Sequence, residues 1–150
     1  MQTAAEIEAF LHRKIPLSVA MGVRVAELAG DRLVLEAPLP PNRNHLETAF
    51  GGSLGALATL AGYTLLWVWL GDAQAHIVIR ESRISFLKPV RTTLRATCLF
   101  PRPERFAPFR EQFLRHGKSR ISLQVTIAAG AEGAVEFEGV FVALRTLKKD

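Results

Sequence analysis

The chain has one cysteine, one tyrosine and no charged residue between Glu47 and Asp72. Each scarcity excludes something. A lone Cys98 leaves no intramolecular disulfide, so the fold rests on packing alone, and a reducing, cytoplasmic setting is expected. The single tyrosine leaves no stacking platform for nucleic acid, and no reading helix is recognisable. His45 has no neighbours at metal-ligand spacing, so no metal site is expected. No repeat or low-complexity tract occurs. The opening MQTAAEIEAFLHRKIPLS carries Glu6, Glu8 and His12, and so lacks the uninterrupted apolar centre of a signal peptide.

What is present suits one globular unit. The 150 residues, 49% apolar and 22% charged, are expected to form a single domain over 1–150. The net charge of +5 asks either for an anionic partner or for nothing beyond a solvated basic surface.

The stretch Asn42–Leu70, NRNHLETAFGGSLGALATLAGYTLLWVWL, organises the rest. Its uncharged run is long enough to span a bilayer, and Gly51 and Gly55 make a GxxxG match. It is equally what a helix looks like when protein surrounds it. The flanking sequence chooses the second reading and predicts no membrane span. Thr3 to Lys14 reads as a helix opened by a Thr3/Glu6 capping box. Met21–Leu28 and Arg32–Leu39 read as a hairpin, ended by Pro38, Pro40 and Pro41. His76–Leu87 reads as a strand whose apolar phase slips across Arg80–Arg83, predicting a bulge or a partly buried polar centre. Thr92–Phe100 and Lys118–Ala129 alternate as strands, and Pro101–Gly117 carries Phe106, Phe109 and Phe113 at helical spacing. Ala134–Leu147 is the last strand, with a phase shift at Gly139 that marks a bulge or a close backbone approach. The expected class is α+β: a curved antiparallel sheet wrapped around one long apolar helix.

This order, together with NHLETAFGGSLGALATLAGYTLLW, SRISFLKPV, GKSRISLQV and FEGVFVAL, resembles the hotdog fold of the thioesterase superfamily. It is most similar to the thioesterase domain at the C-terminus of YiiD-type proteins. The resemblance implies an acyl-CoA or acyl-carrier-protein thioesterase of fatty acid metabolism. It implies a homodimer or tetramer whose site lies between subunits, and no cofactor beyond the coenzyme A or phosphopantetheine of the substrate. In the wider superfamily an Asn or Gln precedes His-Gly-Gly by six residues, and an acid follows along the helix. Here Asn44 stands at the amide position, Phe50 replaces the histidine, Gly51 and Gly52 keep the glycines, and Thr59 stands where the acid is expected.

Thioester hydrolysis needs a group to hold the oxyanion and a group to handle water. Gly51 and Gly52 are oxyanion-hole candidates through their backbone N–H groups, or else they only permit close packing. Asn44, Glu47 and Thr59 are the catalytic candidates. Their alternatives are a turn for Asn44, a helix-dipole partner for Glu47 and a bond to its own helix for Thr59. Asn42, His45, Phe50 and Arg83 are candidates for substrate binding. The basic residues between Arg102 and Arg120 either meet phosphates or an acidic carrier, or form a solvated face. The missing acid keeps two other readings open: a non-hydrolytic acyl-thioester binding module and a hydroxyacyl-thioester dehydratase.

Overall fold

The computed structural model describes residues 2–145. Helix α1 spans Ala4–Lys14, and its capping box forms: the Glu6 N–H donates to Thr3 Oγ1 at 3.2 Å and the Thr3 N–H to Glu6 Oε2 at 2.8 Å. Ile7 and Leu11 are its buried face. A second helix, α2 (Pro16–Met21), follows at once. The strand expected from Met21 therefore begins at Arg24. Pro16 is a good first helical residue because its missing N–H would have no partner there, and Gly22, at φ 71°, closes the helix in the left-handed region.

Strands β1 (Arg24–Leu28) and β2 (Arg32–Ala37) form the expected hairpin. Pro38 ends β2 two residues short of Leu39, because it has no N–H for the ladder. A single 3₁₀ turn, Pro40–Asn42, leads toward α3 (Gly51–Leu70), and the remaining elements are β3 (Ala75–Phe86), β4 (Leu94–Leu99), α4 (Pro103–His116), β5 (Lys118–Ala129) and β6 (Glu132–Arg145). Thr146 and Leu147, read as the end of the last strand, lie outside the described residues.

The six strands make one sheet of order β1-β2-β4-β5-β6-β3, and every pairing is antiparallel. The sheet curls around α3, which touches all strands except β1 at length. Leu54, Leu57, Leu60, Leu65 and Leu66 are buried there against Leu33, Leu35, Leu94, Ala96, Leu123 and Val125. The apolar helix is thus a core helix, and its lack of charge answers the requirement of burial. Edge strand β1 is covered by α1, whose Glu8 accepts the Val25 N–H at 3.0 Å. Edge strand β3 has no strand partner on its outer side among the described residues.

Two expectations about phase resolve differently. On β3 the predicted bulge exists, between Ile79 and Glu81. On β6 the phase does not slip: Val135, Phe137, Gly139, Phe141 and Ala143 all face inward. Gly139 is the close-approach case. A Cβ on it would lie 2.8 Å from the Phe141 ring and 2.9 Å from the Phe137 ring. Phe141 also fills the place of a side chain on α3, since a Cβ on Gly62 would come within 2.4 Å of it.

α4 forms despite Pro108 in its second turn. Burial of Phe109 and Phe113 offsets the lost backbone bond, and an Arg105 bond to the Ser122 carbonyl fastens the helix to β5.

Candidate active site

The first turn of α3 is uncapped. The Phe50 N–H donates to the Asn42 carbonyl at 2.7 Å, and the first intrahelical bond is Leu54 N–H to Phe50 O at 3.1 Å. No side chain caps the helix, so the N–H groups of Gly51, Gly52 and Ser53 have no acceptor among the described residues. They carry the positive end of the helix dipole.

Of these three residues Gly51 lines a cleft of about 350 Å³, together with Thr48, Ala49, Leu54, Phe86 and Val90, among others. Apolar side chains stand open around it: Phe50 is 56% exposed, and Phe86 and Leu87 are each 54% exposed. A Cβ on Gly52 would lie 2.5 Å from the Phe50 ring, so the ring rests directly on this glycine. Gly51 faces Phe86 at ordinary contact distance, and Gly55 faces Ile84. The glycines therefore serve packing as well as leaving amides accessible; the two readings of the pair are compatible.

The loop before the helix is built by Asn44. Its Oδ1 accepts the N–H groups of Leu46 at 2.9 Å and Thr48 at 3.1 Å, and its Nδ2 donates to Thr48 Oγ1 at 2.9 Å. The Asn44 side chain thus forms the turn, with its amide engaged within the loop. Glu47 takes φ 62°, unfavourable for a residue with a Cβ, and the Asn44 bonds hold it there. His45, Leu46 and Glu47 form the exposed tip.

The other expected residues are dispersed. Thr59 lies seven residues beyond Gly52, on the same face of α3 but about 10 Å along its axis. Its hydroxyl donates to the Gly55 carbonyl at 2.8 Å, the local bond anticipated as its alternative. Asn42 is 1% exposed, and its Nδ2 donates to Met21 O at 2.9 Å and Pro38 O at 2.7 Å. This placement makes Asn42 a clamp between α2 and the segment leading into α3, with its side chain closed to solvent rather than presented to a cleft. Arg83 also departs from its expected place. The bulge in β3 changes which parity faces α3, so Ile84 and Phe86 point inward, while Arg83 lies on the outer face with Gln124 and Glu138. Cys98 is fully buried, and burial pushes its thiol up to about 12, which removes it as a nucleophile.

Thr48, Phe86 and Val90 were not singled out from sequence. The Thr48 and Val90 positions follow from loop closure: Ala49 N–H donates to Val90 O at 2.8 Å, which joins two segments distant in the chain. Phe86 carried a signal, as a large aromatic ending an otherwise polar half-strand.

The closeness of this architecture to solved structures is high. A protein of unknown function from Chlorobaculum tepidum superposes with a TM-score of 0.90 at 32% identity, over 95% of this chain and 94% of that one. A Shewanella oneidensis protein called a putative thioesterase gives 0.80 at 24% identity over 94% and 96%. A Pseudomonas aeruginosa protein of unknown function, called a probable thioesterase, gives 0.81 at 22% over 97% and 99%. The last two bear on the fold alone, which is the hotdog arrangement of sheet and central helix. The family model described as "Putative thioesterase (yiiD_Cterm)" matches residues 4–145, nearly the whole described chain, and the chain belongs to that family.

Proposed function

We propose that the protein hydrolyses an acyl thioester carried by coenzyme A or an acyl carrier protein, as a cytoplasmic homodimer serving fatty acid metabolism. The observation that supports this most is the uncapped start of α3 opening on an apolar cleft. A thioester carbonyl placed there would accept hydrogen bonds from the Gly51 and Gly52 amides. Water would add to the carbonyl carbon, the oxyanion would be held by those amides, and the C–S bond would break to release a carboxylic acid and a thiol. No ionisable group belongs to this chemistry within the amides themselves, so water must be activated from elsewhere.

In this reading Glu47, at the loop tip, takes the proton from water, and Asn44 is a positioning residue that holds the loop. Gly52 and Thr59 are too far apart on one helix to serve one carbonyl. Thr59 of the partner subunit would supply that group. The unpartnered β3 edge and the open side chains of Phe50, Phe86 and Leu87 support such a second copy, because a long bare edge and exposed aromatics both favour being covered. Phe50 and His45 then border the substrate.

The test is release of free thiol from a panel of acyl-CoA and acyl-carrier thioesters, with Asn44→Ala, Glu47→Ala and Thr59→Ala compared with the native chain. Glu47→Ala should lower kcat by about 100-fold, the scale of a lost general base. Full activity in all three would overturn the assignment. The engagement of Asn44 within its own loop and of Thr59 with its own helix favours a second reading, a module that binds acyl thioesters without cleaving them. Saturable acyl-CoA binding with no thiol released from any substrate would select it.

A further inference from the structure

The outer face of the sheet carries a concavity of about 970 Å³, on the side away from α3. Its floor is a row of apolar residues brought together by strand register. Val78 of β3 pairs with Val142 of β6, which pairs with Arg120 of β5; Leu144 pairs with Lys118 in the adjacent row. The chain neighbours Ile77, Phe141 and Ile121 are buried in the core, so these residues face outward.

Cations frame this floor on both sides. Lys118 and Arg120 stand on β5 and Arg80 on β3, all exposed, and none forms an ion pair or side-chain hydrogen bond with a described residue. No carboxylate lines the concavity, and Gln112 and His116 of α4 wall its β5 side. β5 and β3 flank β6, so the two cationic rims are about 10 Å apart, while Lys118 and Arg120 are about 7 Å apart along one strand. Lys118 and Arg120 are near enough to close on one phosphate, but a phosphate would leave the apolar floor of Val78, Val142 and Leu144 uncovered. A helix laid along the floor, about 10–12 Å across with its side chains, is wide enough to reach the cations of both rims.

We infer that this groove docks an acidic amphipathic helix of a partner protein, apolar side chains on Val78, Val142 and Leu144, carboxylates on Arg80, Lys118 and Arg120. Charge complementarity selects that occupant. A second copy pressing the same face here would set like charges against each other. The inference needs no thioester chemistry and stands or falls apart from the proposed activity.

The experiment uses the full chain and a fluorescein-labelled helical peptide of about 15 residues, leucines at i, i+4, i+7 and i+11 and glutamates flanking them. Fluorescence anisotropy should report saturable binding that weakens between roughly 50 and 300 mM salt. The double substitution Lys118→Glu/Arg120→Glu should weaken it at least about tenfold, and Val78→Asp, at a half-exposed position, should do the same. Arg102→Glu/Arg110→Glu, outside the groove, should leave it unchanged. Equal binding of a shuffled peptide, equal loss in the Arg102/Arg110 control, or native-like binding by the groove variants would overturn the inference. So would a change of oligomeric state on sedimentation of the groove variants, which would mean a second copy occupies the face. A single-stranded oligonucleotide that binds with the same variant dependence while the peptide does not would also overturn it.

Discussion

Replacing Gly62 by alanine sets two effects of known sign against each other. In an open helix the change would be favourable by about 1 kcal/mol, because glycine has more backbone freedom to lose. Here the new methyl would meet Phe141 at 2.4, 2.6 and 3.3 Å from three ring carbons, each closer than ordinary van der Waals contact. The ring already packs over the Gly139 backbone, in the space a Cβ there would take, so little room is left for it to retreat and α3 and β6 must separate instead. Forcing a methyl into such a core costs typically about 1–3 kcal/mol, and a contact this short belongs at or above the upper end. The expected outcome is net destabilisation of about 2 kcal/mol or more despite the gain in helix propensity. Placing Gly62→Ala in a Phe141→Leu background should remove most of that cost and leave the propensity gain, giving a coupling of about 1–3 kcal/mol in the double-mutant cycle. Urea unfolding followed by the fluorescence of Trp67 and Trp69 measures each corner, at one fixed protein concentration because self-association shifts the midpoint. An additive cycle, or a Gly62→Ala chain as stable as the native one, would show that the ring does not hold α3 against the sheet as described.

Two further outcomes test other parts of the molecule. Burial raises the Cys98 thiol from 9.0 to about 12, so its contribution is complete below pH 9 and is lost as pH rises toward 12. Unfolding free energy should fall by about 1.4 kcal/mol per pH unit in that window relative to a Cys98→Ala chain, and Cys98 should resist alkylation in the native state at pH 8 while reacting in urea. A parallel pH dependence in the two chains would refute the assigned cause. Glu47→Gly should leave the fold equally stable or more stable by up to about 1 kcal/mol, because glycine adopts φ 62° freely, whereas Glu47→Val should destabilise it. Thermal melts of both variants decide this, and a loss of thiol-releasing activity in the stable Glu47→Gly chain would separate the carboxylate's chemistry from the loop's geometry.

Much of the architecture was readable because it depends on local order. The Thr3/Glu6 cap, the alternation of Ile121, Leu123, Val125 and Ile127, and the turn at Gly130 involve neighbours in the chain. The burial of α3 was readable for a related reason: strands on both sides of an uncharged helix need a common core. Of the candidate site, the start of α3 at the Gly51–Gly52 pair was readable, because the glycines and the helix belong to one segment.

Other features depended on contacts between distant residues. Nothing near Asn42 announces that its amide will clamp Met21 and Pro38. The one-residue bulge that turns Arg83 outward is felt as a face only once β6 sets the register. Gly139 looked like a phase break, and became an inward position left empty for a ring that also needs Gly62. Sequence by itself determined periodicity, caps and the identity of the core helix, because those follow from the spacing of side chains along one backbone. Only the tertiary structure decided which polar groups are engaged and which amides stay free, since hydrogen-bond partners and excluded volume come from segments that meet only when the sheet closes around the helix.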